Sequence, residues 1–234
     1  MSGHRYQQFC GLARALDVAG GRWTLLIVRE LLPGPRRFTD LIEGLPGISR
    51  ALLTERLRDL ERDGIVARQE LPPPAARQVY ELTDEGRDLA DAMAGLIAWG
   101  ARRLANREPT DSFRARWMAV GMAALADREA AKGVSETYQY VVGGTAFHFM
   151  VEDGSIRLHD GRARDPAVTL SSDEETWADM VYGKTTASAA IAGGALTVEG
   201  DRQAAKRLGQ IFGHDRILAR AEATIAGGES GVSR

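Results

Sequence analysis

Four polar residues between positions 49 and 58 combine types and spacing that suit hydrogen bonding to nucleic-acid bases: Ser49, Arg50, Thr54 and Arg58. Arginine can donate two parallel hydrogen bonds to guanine, and serine or threonine can bond to several bases. At about 100° per residue, Thr54 and Arg58 fall on the arc of a helix opposite its apolar residues. The pattern therefore predicts a helix face that can meet base edges in the major groove of double-stranded DNA.

Three further arginines flank this helix: Arg36, Arg37 and Arg77. The first two lie just before the preceding helix and the third lies on a hairpin, so we expect them to contact phosphates or the minor groove. Simpler roles remain open. Arg58 and Arg62 could pair with Glu55, Asp59 and Glu61 on a solvated face, Ser49 could only cap its helix, and Arg77 could be an ordinary surface residue.

The elements that must position these residues follow from the apolar periodicity of the first half. Helices are predicted at residues 23–32, 38–45 and 50–63, the last with Ser49 as N-cap, Gly64 as its end and Leu53, Leu57 and Leu60 on its buried face. Two strand-like runs, 65–71 and 77–83, surround a proline-rich tip, and Thr83 starts a long helix to about residue 105. Helices followed by such a hairpin are typical of a winged helix-turn-helix.

In the second half of the chain, the spacing of the apolar residues changes from a helical to a β-like pattern. Four short β-like runs from residue 136 to 172 are separated by Gly-Gly and Asp-Gly pairs, which predicts an antiparallel meander. Helices are expected at 173–182, 185–194 and 201–212, with one more strand at 195–201. The fold class is therefore a mainly α winged helix-turn-helix domain plus an α+β domain with a small, antiparallel-rich sheet. We expect the domains at 1–108 and 135–226, with a helical bridge at 109–134.

Aromatic and thioether side chains are concentrated in the second domain and make it a candidate for binding an apolar ligand. Each of them could equally belong to an ordinary core, but the small-residue helix TTASAAIAGG could leave a cavity beside them. The candidate ligand-binding residues are Tyr138, Tyr140, Phe147, Phe149, Met150, Trp177, Met180 and Tyr182.

Composition and the lack of certain motifs argue against several other classes of protein. The 234 residues carry a formal charge of −2, so any DNA binding must be local rather than a polybasic coat. No apolar run approaches the roughly 20 residues that span a bilayer, and the start lacks a signal-peptide pattern. We therefore expect a cytoplasmic protein with no membrane partner. The chain has one cysteine, Cys10, and its histidines lack metal-ligand spacing. Because catalytic motifs are also lacking, we expect neither an enzyme, a cofactor nor a metal.

Several linked blocks between residues 10 and 105, among them CGLARALDVAGGRWTLLIVRELL, RRFTDL, LPGISRALLTERLRDLERDGIV and YELTDEG, closely resemble the HxlR-type winged-helix regulators. From residue 136 onward, a meander followed by WADMVYG and LTVEGD is similar to the sterol carrier protein type-two superfamily, whose members enclose apolar ligands. The first resemblance implies a DNA-binding regulator. The second implies a domain that binds an apolar molecule.

Together these features predict a homodimeric transcriptional regulator, a repressor, that binds a pseudo-palindromic operator and responds to an apolar or aromatic effector. The long helix after the hairpin and the first helix are the expected dimer surface. One alternative is a thiol-based sensor, because HxlR-type regulators often carry a cysteine at the place of Cys10 and a helix N-terminus stabilises a thiolate. Cys10 could instead be a small hydrophobe in the dimer interface. Another alternative is a lipid or metabolite carrier.

Overall fold

The computed structural model describes residues 5–71, 77–104, 111–181 and 183–213, and it divides the chain into two compact units, Met1–Asp91 and Ala92–Arg234. In the described part of the chain, no helix is both long and apolar enough to cross a membrane. The domain limits expected at residues 108 and 135 stay predictions.

The first unit begins with helices and continues into a hairpin. Its elements are α1 (Gly11–Ala19), α2 (Thr24–Leu31), α3 (Phe38–Gly44), α4 (Arg50–Arg62), β1 (Val66–Leu71) and β2 (Arg77–Leu82). The antiparallel strands pair from Val66 opposite Leu82 to Leu71 opposite Arg77. Helix α5 (Asp84–Ala101) starts in this unit and continues into the second.

Local sequence explains where the helices of the first unit begin and end. Ser49 Oγ accepts a hydrogen bond from the Leu52 amide at 3.2 Å, and Thr83 Oγ1 accepts one from the Gly86 amide at 3.1 Å. Helix α2 ends just before Pro33-Gly34, as the sequence predicts. The core of the unit is apolar, and its fully buried members include Ile27, Leu31, Leu41, Leu45, Leu53, Leu57 and Leu60. Among them, Leu53, Leu57 and Leu60 are the positions that the helical period of α4 assigns to the interior.

The second unit is built on a mixed sheet. Helix α6 (Ala115–Leu125) precedes strands β3 (Ser135–Val142), β4 (Thr145–Glu152), β5 (Ser155–Asp160) and β6 (Val168–Ser172). Helices α7 (Glu174–Val181) and α8 (Ala187–Ala192), strand β7 (Leu196–Gly200) and helix α9 (Arg202–Phe212) follow. The strand order is β5-β4-β3-β6-β7.

The predicted antiparallel meander is correct for β3, β4 and β5 but wrong for β6. Strand β6 pairs in parallel with β3, with Tyr138 opposite Val168, because residues 161–167 carry the chain from β5 past β4 to the other edge of β3. The buried amide of Gln139 holds this crossover: its oxygen accepts from the Ala163 amide at 2.6 Å and its nitrogen donates to the Phe147 carbonyl at 2.8 Å. A crossover of this length replaces the tight turn that the Asp-Gly pair suggests.

Candidate nucleic-acid interface and ligand-binding core

Helix α4 presents an apolar face to the core and a polar face to solvent. Ser49, Arg50 and Arg58 are exposed and Thr54 is half-exposed, whereas Leu53, Leu57 and Leu60 are buried. The Thr54 hydroxyl donates to the Arg50 carbonyl at 2.9 Å, so the hydroxyl oxygen remains available as an acceptor. The structure thus brings the four predicted base-contacting residues together at the start and on the exposed side of one helix.

The ion pairs of α4 distinguish the arginines that the sequence leaves ambiguous. Arg62 Nη1 lies 2.8 Å from Asp59 Oδ1, and Arg56 Nη1 lies 3.0 Å from Asp59 Oδ2. The Arg58 side chain forms neither a hydrogen bond nor an ion pair with any described residue. The Arg50 guanidinium carbon lies 6.0 Å from the centre of the Phe38 ring. The solvated-face alternative therefore describes Arg62 and not Arg58.

Arg37 lies at the N-cap of α3 and is exposed. Its amide and its Nε both donate to Asp40 Oδ2 at 3.1 Å. Partial burial alone would raise the pKa of Asp40, but the hydrogen bonds and charge of Arg37 outweigh it and the pKa lies below its usual value. Arg37 thus carries a partly neutralised charge at the N-cap of α3.

The hairpin carries polar side chains across its strands. Arg68 bonds to Gln78, and Gln69 bonds to Glu81. Arg77 begins β2, but its side chain lies outside the described residues, as does the proline-rich tip. Arg36, which the sequence also assigns to DNA, pairs through its backbone with Tyr80 of β2, and its side chain is half-buried.

Glu30 is a buried polar residue whose role sequence reasoning missed. Its side chain is almost fully buried, and Oε1 accepts hydrogen bonds from Arg29 Nη2 at 2.7 Å and Nε at 3.1 Å. The signal that could have found it is a charged pair inside the otherwise apolar run WTLLIVRELL. Such a pair is costly to bury unless it is well bonded, so it marks a structural junction.

Aromatic rings fill the space between the sheet and its helices in the second unit. Tyr140 stacks on Phe147 with ring centres 5.2 Å apart and meets Trp177 edge-on at 5.5 Å, and Phe149 lies 4.6 Å from Phe212. Trp177 is 1% exposed and Met180 5% exposed. Most of the predicted ligand-binding residues thus lie on one side of the sheet, but they contact one another where the sequence suggested a cavity.

Two of the predicted ligand-binding residues do not join this cluster. Met150 projects from the opposite face of the sheet and is 36% exposed, because successive side chains of β4 alternate between faces. Tyr182 lies outside the described residues. Met150 instead helps to line an open pocket of about 310 Å³, together with Glu136, Glu152 and Asp165. This pocket is too acidic for an apolar ligand.

A polar network closes one end of the aromatic cluster. The Tyr138 hydroxyl donates to Glu136, which also accepts from Arg207 of α9. Burial alone would raise the pKa of Glu136, but these two donors hold it below its usual value. Burial, with the neighbouring Glu136 carboxylate, raises the pKa of Tyr138. The side chains therefore join β3 to α9 as an ionised carboxylate and a neutral phenol.

The remaining candidates for chemistry are one cysteine and a pair of histidines. The Cys10 thiol is exposed at the N-cap of α1. His148 and His159 face each other across β4 and β5 with ring centres 5.3 Å apart. Among the residues that the structure describes, no group of three or more His, Cys, Asp or Glu side chains could hold a metal ion.

Known proteins match each half of the chain. The HxlR-like helix-turn-helix family matches residues 18–108, and the SCP-2 sterol transfer family matches residues 120–213. The HTH-type transcriptional regulator YvaP of Bacillus subtilis (strain 168) is 40% identical over 86 residues, which are 37% of this chain and 80% of that protein. The HTH-type transcriptional regulator YodB of the same organism is 40% identical over 85 residues, 36% of this chain and 76% of that protein.

Among solved structures, the chain is similar to diamide-treated YodB from B. subtilis, with a TM-score of 0.36 and 37% sequence identity. The match covers 40% of this chain and 94% of the YodB chain. The matches to YvaP and YodB cover most of each relative at high identity. The chain therefore belongs to the HxlR-like helix-turn-helix transcriptional regulators. Its C-terminal half carries an additional SCP-2-like domain.

Proposed function

We propose that this protein is a homodimeric repressor that inserts α4 into the major groove of a pseudo-palindromic operator. The observation that carries this proposal is the exposed stripe of α4, on which Arg50 and Arg58 lack a carboxylate partner among the described residues while Arg62 has one. Arg58 can then bond to guanine without breaking an ion pair. Ser49 and Thr54 complete the base-facing set, and Arg37 and Arg77 contact the backbone phosphates.

Dimerisation is supported by exposed apolar side chains on two helices. Leu12 of α1 is 69% exposed, and Leu96 and Trp99 of α5 are 57% and 50% exposed. Large apolar residues at such exposure favour burial against a second copy of the chain. A symmetric dimer holds two recognition helices about 34 Å apart, one turn of DNA, which selects a pseudo-palindrome.

The effector proposal rests on the second domain. The SCP-2-like match and the aromatic side of the sheet both favour an apolar or aromatic ligand, with Trp177 and Tyr140 as lining residues. Since these rings are in contact, a ligand must separate them to enter. The short helix α8 offers an edge where this can begin, because Ile191 and the neighbouring Val198 of β7 are 48% and 38% exposed. A ligand that binds one conformation better than the other shifts the balance between DNA-competent and incompetent dimers.

A mobility-shift titration of the full chain on the promoter DNA next to its gene tests both operator recognition and control by the effector. We expect a retarded complex that a scrambled duplex does not form, and a change in its affinity when a hydrophobic compound that raises the melting temperature is added. Equal binding to scrambled DNA would contradict operator recognition. If stabilising compounds leave the complex unchanged, the second domain is a carrier and does not regulate.

A second candidate function is thiol sensing, which the exposure of Cys10 at the start of α1 favours. In this alternative, an oxidant modifies the thiol and the change reaches the dimer surface of α1. The titration with and without diamide separates this candidate from effector control.

A further inference from the structure

Arg36 lies between α2 and α3 and is joined to the wing hairpin through its main chain. Its amide donates to the Tyr80 carbonyl at 2.9 Å, and its carbonyl accepts from the Tyr80 amide at 2.7 Å. Through these two hydrogen bonds, residue 36 forms an isolated antiparallel β-bridge with strand β2. The position of Arg36 therefore influences the position of the wing.

The Arg36 side chain extends toward the protein rather than freely into solvent. Its Nε donates to the Glu30 carbonyl at 3.4 Å, and its Nη2 atom is buried. A guanidinium in that position is poorly placed to reach a phosphate. It connects the last turn of α2 to the residue that pairs with β2.

Glu30 in turn joins α2 to the helix-turn-helix. Its buried carboxylate accepts from Arg29 and lies against Gly44, the last residue of α3. A Cβ atom at residue 44 would collide with this carboxylate, so Glu30 can keep its position beside the end of α3 because residue 44 is a glycine. Glu30 thus contacts the end of α3 through its side chain and Arg36 through its carbonyl.

We propose that Arg36 and Glu30 are positioning residues that hold the wing at a fixed angle to the recognition helix, and that neither contacts DNA. This inference rests on the proposed operator binding and deepens it. Because Arg36 pairs with β2 through its main chain and bonds to α2 through its side chain, it sets how the wing is held beside α2. The arginine that looks from the sequence like a phosphate contact therefore acts inside the protein.

The test compares Arg36→Ala, Arg36→Lys and Arg87→Ala in the full chain. Arg87 is an exposed arginine at the start of α5, so its replacement controls for the loss of one positive charge. Amide hydrogen exchange is measured without DNA, and operator affinity is then measured over a range of salt concentrations. We expect Arg36→Ala to speed exchange in β1 and β2 but not in α4, and to weaken operator binding severalfold, because the hydrogen bond that it removes is a long one.

Arg36→Lys keeps the charge and one donor, so it should restore part of the wing protection and part of the affinity. A Glu30→Gln variant provides a second check. It removes a negative charge, which would strengthen DNA binding if only charge mattered. Positioning predicts weaker binding instead, because the charged pair with Arg29 that fixes the side chain beside Gly44 becomes a weaker neutral hydrogen bond.

Wing exchange equal to that of the wild type in Arg36→Ala would overturn the inference, since a direct phosphate contact leaves the free protein unchanged. Faster exchange throughout the first unit would also overturn it, because that result indicates general destabilisation. If the wild-type chain does not bind the operator at all, the proposed function fails, while the exchange experiment still decides whether Arg36 holds the wing.

Discussion

Arg62 Nη1 lies 2.8 Å from Asp59 Oδ1 near the end of α4. Arg58, one turn earlier on the same helix, has no carboxylate partner in the part of the chain that the structure describes. Both arginines are exposed. They are therefore a matched pair of arginines on one helix. The Arg62 guanidinium already pairs with a carboxylate, whereas the Arg58 guanidinium has no carboxylate partner among the described residues.

Replacing Arg58 by Ala should weaken operator binding by about 1 to 3 kcal/mol, the value of a lost bidentate base contact. Arg62→Ala should change it by less than about 1 kcal/mol, because an exposed ion pair contributes little. Fluorescence anisotropy on a labelled operator at physiological salt measures both. Equal losses in the two variants would show that α4 acts only through its net charge.

The dimer should depend on the exposed apolar residues of α1 and α5. We expect a Leu12→Glu, Leu96→Glu double variant to be monomeric at micromolar concentration, because a buried carboxylate in an apolar interface is strongly unfavourable. Analytical ultracentrifugation gives the mass. Ile191→Glu is the control, since Ile191 is also exposed but lies on α8. A double variant that sediments as the wild type does would exclude this surface as the dimer interface.

Trp177 should contribute strongly to the stability of the second domain. Trp177→Ala removes a buried ring from contact with Tyr140, and large-to-small changes of this kind cost about 3 to 5 kcal/mol. Trp177→Phe keeps an aromatic ring and should cost less. Urea unfolding followed by circular dichroism measures the difference. If the free energy of unfolding of Trp177→Ala falls by less than about 1 kcal/mol, the prediction of a tightly packed core is wrong. The aromatic cluster could then open for a ligand at little cost.

Glu136 should make stability dependent on acid pH. Its pKa in the folded protein lies below its usual 4.5, so its stabilising contribution is complete above that pH and is lost as the pH falls through the folded value. The difference in melting temperature between the wild type and Glu136→Gln should therefore shrink between pH 6 and roughly pH 3. Glu152→Gln, on an exposed carboxylate, serves as the control. A difference that stays constant over this range would show that Glu136 does not titrate with unfolding.

Cys10→Ser should leave operator affinity and effector response unchanged, because the thiol is exposed and makes no side-chain cap bond to α1. Mobility shift with and without diamide measures the effect. If diamide releases the wild type from DNA but not the serine variant, the thiol is the switch and effector control becomes secondary.

Sequence reasoning succeeded where a residue's role depends on its neighbours along the chain. Ser49 and Thr83 cap the helices that they precede, and the leucines of α4 are buried as the helical period predicts. It failed where distant residues decide the outcome. Strand β6 joins β3 in parallel because Gln139 holds a crossover, and Arg36 points inward because of Glu30. Nothing local to Arg36 distinguishes it from Arg37.

The most direct test of operator recognition is the dissociation constant of the full chain for its own promoter duplex, compared with Arg58→Ala and Arg62→Ala at physiological salt. We expect specific binding that falls about tenfold or more in Arg58→Ala and stays within a few-fold of the wild type in Arg62→Ala. Specific binding that is unaffected by Arg58→Ala would contradict the assignment of α4 as the helix that reads the operator.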